Sequence, residues 1–118
     1  MFVADLHNDL VQRMMLGEDV TIETNDGHTD IPRLKKSIIN LQVLIIFVGW
    51  ESSKESNYNH FELATRMYEK LITLSKEEDV NIVNNLEEIQ SSYKHDQLSI
   101  PISMEDLLCI LILLQSLK

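Results

Sequence analysis

Cysteine is almost absent: Cys109 stands alone, so no internal disulfide forms and no thiolate cage holds a metal. Glycine occurs three times and never in the clustered pattern that cradles phosphate, so nucleotide binding has no support. Cys-x-x-Cys and a Ser-His-Asp order are also missing, which leaves thiol redox and serine chemistry with nothing to stand on. Cations are scarce too. Ten Lys and Arg stand against 19 Asp and Glu, for a net charge of -9. Nucleic-acid binding needs clustered Lys and Arg, and this balance argues against it. The longest apolar run, residues 107–114, falls far short of the roughly 20 residues that span a bilayer. The Met1-Phe2-Val3-Ala4 start shows neither the basic residues nor the cleavage pattern of a secretory leader. A soluble, cytoplasmic protein is the expectation.

What is present suits one domain with one core: 118 residues, 44% apolar and 25% charged. Residues 2–9 begin apolar and end in His7-Asn8-Asp9, the pattern of a buried strand carrying polar groups at its C-terminal end. A polar loop is expected from Gly17 to Asp30, where the aspartate caps a short helix that has Pro32 in its first turn. Residues 38–48 are nearly all apolar and rich in β-branched side chains, as in a strand buried on both faces of a parallel sheet. A hydrophilic loop over 51–57 follows. Asn59 and Glu62 have capping-box spacing and open a helix over 59–78. Its apolar face is expected to hold Phe61, Ala64, Tyr68, Leu71 and Ile72. A short strand at 80–83, a helix from Asn85 to about Lys94 and an apolar strand at 98–104 complete the pattern. Alternating strands and helices predict an α/β fold with a parallel sheet whose polar strand ends share one rim.

Along an extended strand, residues two apart point the same way, so His7 and Asp9 can reach one metal together. An imidazole nitrogen and a carboxylate oxygen are both zinc donors. Asp5 lies on the same side and is placed to steady them from behind. Glu105 closes the last predicted strand, where α/β folds gather functional groups, and its two oxygens suit a bridge between paired cations. For His28 a loop hydrogen bond is expected, and for His60 and His95 a solvated surface. Trp50 is expected to pack at the rim, and the methionines to fill core.

The segment Asp5-Leu6-His7-Asn8-Asp9-Leu10 resembles the opening Asp-x-His-x-Asp signature of the membrane (renal) dipeptidase family. His28-Thr29-Asp30-Ile31-Pro32-Arg33-Leu34 is similar to that family's second block, with Gln42 in the strand that follows. Ser99-Ile100-Pro101-Ile102-Ser103-Met104-Glu105 resembles the strand bearing the family's metal-bridging glutamate. The resemblance spans residues 3 to 106. It implies the first few βα units of a (β/α)8 barrel and a dipeptide-hydrolysing centre that uses two zinc ions. It further implies that His7 and Asp9 bind the first zinc, and that Glu105 bridges both and is the catalytic residue. The family's two histidines on the second zinc, and its substrate-binding histidine, arginine and aspartate, have no counterpart here.

Two departures stand out. The family continues from its glutamate with glycine, whereas Asp106 and an apolar run follow Glu105. Glycines are also missing around Lys36-Ser37-Ile38. The expectation is therefore the N-terminal portion of a zinc dipeptidase over residues 1–106, binding at most one zinc and inactive alone, with an atypical tail over 107–118. Self-association through an open sheet edge is also expected. The rival reading is a non-enzymatic module that docks through that tail. Other metallohydrolases of the same barrel type open with His-x-His, and Asp9 argues against them.

Overall fold

In the computed structural model, residues 1–49 and 57–105 are described. The expectations placed on Trp50, on most of the 51–57 loop and on the apolar tail lie outside them. The elements run β1 (Ala4–Asn8), α1 (Leu10–Met15), α2 (Ile31–Lys36), β2 (Leu41–Phe47), α3 (His60–Ile72), a 3-10 turn (Thr73–Lys76), β3 (Val80–Ile82), α4 (Leu86–Lys94), β4 (Leu98–Ile100) and β5 (Ile102–Glu105). Every strand pairing is parallel. The fold is α/β with a five-stranded sheet in the order β1-β2-β4-β3, β5 also pairing with β2.

β4 and β5 are one strand path divided at Pro101, which has no N–H to give to a ladder. The expected single strand at 98–104 is thus split, yet both halves run beside β2, with Leu41 opposite Ser99 and Phe47 opposite Glu105. β3 takes the far side of β4, so β4 lies inside the sheet although β3 precedes it in sequence. β1 forms an edge and pairs with β2 alone among the described residues.

Alternate positions of β2 point to opposite faces. Leu44 and Ile46, with Val48 just beyond, join a single core with Leu10, Val11 and Met14 of α1, Ile31 and Leu34 of α2, and Leu63, Met67 and Leu71 of α3. Helix α3 starts as expected, with a capping box in which Asn59 accepts from the Glu62 N–H and Glu62 accepts from the Asn59 N–H. Its buried face is rotated from the expected one. Leu63, Ala64, Met67 and Leu71 are buried, while Phe61, Tyr68 and Ile72 are exposed. Leu63, Met67, Leu71 and Leu74 form the straighter stripe at helical spacing, and packing on β2 selects it over the aromatic one.

Helix α1 falls where the sequence reading placed no element. Leu10, Val11 and Met14 carry helical spacing, but six residues are too few for periodicity to register. The helix draws its stability from those three buried contacts rather than from propensity.

Candidate metal centre

β1 ends at Asn8, and Asp9 becomes the N-cap of α1. An aspartate in that position ordinarily accepts a hydrogen bond from the first helical turn, worth about 1 kcal/mol. Asp9 makes no such bond. Its Oδ2 instead lies 3.3 Å from His7 Nε2. The carboxylate's capping capacity is thus unused, and it faces the imidazole.

The other ring nitrogen meets the far end of the described chain. Glu105, last residue of β5, lies with Oε1 3.2 Å from His7 Nδ1. Parallel pairing of β1 with β2, and of β2 with β5, carries the two strand ends to the same side of the sheet. His7, Asp9 and Glu105 are therefore brought together, and each side chain is about half exposed, open to solvent. Asp5 Oδ1 accepts the His7 backbone N–H at 3.1 Å, so it braces the strand rather than the imidazole. Gln42, opposite Asp5 on β2, is fully buried, its Nε2 3.4 Å from the Asp5 carbonyl and its Oε1 without a partner among the described residues.

The donor set suits zinc chemically, one imidazole with carboxylates. Nitrogen and oxygen donors on one tetrahedral zinc, at about 2.0–2.2 Å each, lie about 3.3–3.5 Å apart. The separation of 3.3 Å between His7 Nε2 and Asp9 Oδ2 fits two corners of such a site. The three side chains are nevertheless strung in a row, with the imidazole between two carboxylates. No group of three or more His, Cys, Asp or Glu among the described residues surrounds a common point. The pair fits one ion, and Glu105 faces the nitrogen that the pair does not use.

Beside Asp9 is an open cavity of about 270 Å3, lined by Asn8, Gln12, Arg13, His28 and Thr29 among others. His28 makes no hydrogen bond among the described residues, contrary to expectation, and is exposed at this cavity. His95 is exposed as expected, with Nδ1 2.8 Å from the Ser91 carbonyl. His60 departs from its expected solvated position: it is half-buried, and its Nε2 has no partner among the described residues.

The loop behind the cavity is organised by charge. Asp30 caps α2, accepting the Arg33 N–H at 2.9 Å, and its other oxygen accepts the Thr24 N–H at 3.1 Å. Burial pushes its carboxyl pKa up, but those two donors and the guanidinium groups of Arg33 and Arg13 outweigh burial and hold it below the ordinary carboxylate range. Arg13 bonds Glu18, the Thr24 hydroxyl and the carbonyls of Asp26 and Thr29. The sequence assigns no role to Arg13, and Thr29 enters it only as part of the block around Asp30. The one available signal is that Arg13 lies one helical turn beyond Asp9.

No curated protein matches this sequence. Two solved structures share its fold at a TM-score of 0.77, each covering 100% of this chain. One is dipeptidase AC, a metallopeptidase of family M19, at 20% identity. The other is a metallopeptidase from Rhodobacter sphaeroides, liganded with a phosphinate mimic of the dipeptide L-Ala-D-Ala, at 18% identity. The chain spans 40% and 43% of their respective lengths. The sequence profile of one family, membrane dipeptidase (peptidase family M19), matches residues 1–118. With its whole length matched by that profile, the chain belongs to the membrane dipeptidase family.

Proposed function

We propose that this chain supplies one wall of a metal-dependent dipeptidase centre, in which His7 and Asp9 hold a first zinc ion and Glu105 reaches between that ion and a second. The observation that carries the proposal is convergence. Donors from the first and last described strands lie within 3.3 Å of one imidazole. A dipeptide is the substrate class that the family implies, and one solved relative carries a mimic of one.

A zinc ion bound here would lower the pKa of a coordinated water and polarise a peptide carbonyl. His7 contributes a nitrogen donor, and Asp9 contributes charge that offsets the cation. Asp5 and Gln42 hold the strand behind His7 through backbone bonds. Glu105 has the two oxygens that a bridge needs. Beyond this the set is incomplete. His7 and Asp9 offer two donors to a first ion and Glu105 lies on the other side of the imidazole, whereas a zinc takes about four ligands. Among the described residues, Arg13 and Arg33 are both engaged on the loop rather than turned to receive a substrate carboxylate.

The 118 residues by themselves are therefore expected to bind metal without turning over substrate. The test supplies the purified chain with zinc and assays a panel of small L,L- and L,D-dipeptides. No zinc-dependent hydrolysis is expected. Turnover abolished by Glu105→Gln would show a working enzyme and overturn this division of labour.

A further inference from the structure

Asp9 sits at φ -91° and ψ 30°. That is the sparsely populated bridge between the helical and extended regions, where active-site residues recur. Its carboxylate also forgoes the cap that would normally fix it. With no cap to fix it, the carboxylate's direction depends on the surroundings that hold the backbone on either side.

Those surroundings converge on Thr29. On one side of Asp9, the Asn8 amide Nδ2 donates to Thr29 Oγ1 at 3.3 Å. On the other side, Arg13 Nη1 donates to the Thr29 carbonyl. The backbone bearing Asp9 is thus bracketed by two bonds to a single residue of a distant loop. Neither end of the bracket is loose. Arg13 is only 19% exposed in its side chain and is anchored on Glu18 at 2.8 Å and on the Asp26 carbonyl at 2.7 Å. Thr29 precedes Asp30, which is fully buried and bonded on both oxygens. Gly27 leaves the room this requires: at φ +77° it has no side chain, and a Cβ there would lie 2.5 Å from the Arg13 guanidinium carbon.

We propose that Thr29 and Arg13 are positioning residues that staple the Asp9 backbone, so that its carboxylate is set toward His7 before any metal arrives. The proposal rests on the reading of His7 and Asp9 as metal ligands. Groups that orient ligands in this way typically govern metal affinity by 10–100-fold.

The experiment uses the 118-residue chain and two readouts. Backbone relaxation by NMR, without metal, is expected to give Asp9 an order parameter near that of the strands, about 0.85. Thr29→Val, which removes the hydroxyl and keeps the shape, and Arg13→Met should each lower it to below about 0.6. Arg33→Met is the control: it loosens the same loop at Thr24 and Gly27, lowers thermal stability, and leaves Asp9 ordered. Calorimetric titration with zinc should then show about tenfold weaker binding for the first two variants and not for Arg33→Met. An Asp9 amide equally ordered in all four proteins overturns the staple, whatever the metal does. Lost order with unchanged zinc affinity overturns its positioning role. If the parent chain binds no zinc, the ligand reading fails by itself, and the order parameters still decide whether the staple exists.

Discussion

Asp30 combines two roles that the sequence ties to different signals. Its place before Pro32 marks it as a cap, whereas its full burial and its bonds to Thr24 and Arg33 emerge only once the loop folds back over α2. Replacing it with alanine removes the cap and strands two half-buried N–H groups, at a cost of about 2 kcal/mol in urea unfolding. Because its pKa is lowered in the folded state, its ionic contribution is fully present above its unfolded value of about 4. That contribution is lost as pH falls through the lower folded value. The stability gap between the parent and Asp30→Asn should therefore be wide at pH 7 and shrink below about pH 4. A gap that widens in acid would contradict the assignment. At Gly27, alanine meets both a left-handed backbone and the Arg13 side chain, so Gly27→Ala should cost about 1–2 kcal/mol. Gly17 has an equally positive φ but open space around it, and Gly17→Ala should cost less.

Among elements, those with strong local chemistry were legible and those made by contact were not. The capping box at Asn59 and the caps at Asn85 and Asp30 mark three helix starts, and all three side chains accept the N–H that their spacing promises. Asn59→Ala should lower stability by about 1 kcal/mol, read from the unfolding midpoint. The β-branched run of β2 likewise announces a buried strand, and its core positions are buried. Helix α1 is too short for its period to show, and Pro101 divides a strand that hydropathy alone reads as continuous. The face of α3 was misplaced because two apolar stripes coexist on it, and only packing on β2 decides between them. Edge strand β1 has Leu6 71% exposed and an unpaired side among the described residues. We propose that this edge drives weak self-association. Leu6→Lys should reduce the concentration-dependent rise in sedimentation coefficient. An unchanged rise would place the contact elsewhere.

For the whole molecule, the clustering of the three candidate residues comes only through topology. His7 and Asp9 come from the first strand end and Glu105 from the last, and nothing local in sequence joins them. The parallel order β1-β2-β5 makes them neighbours, and the passage from β1 into the N-cap of α1 sets imidazole against carboxylate. A family signature and the rule that strand ends gather function single out these three residues in the sequence, and the fold brings them together. The row-like arrangement about His7, the uncapped Asp9 and the Thr29 bracket were beyond it, because they depend on a loop whose path is set by two arginines. The most direct test of the account is a zinc titration of the 118-residue chain by calorimetry, with His7→Ala alongside. The account predicts one ion per chain, bound weakly, and an affinity that falls at least about tenfold when the only imidazole of the set is removed. Two tightly bound ions, or an affinity indifferent to His7→Ala, would contradict it.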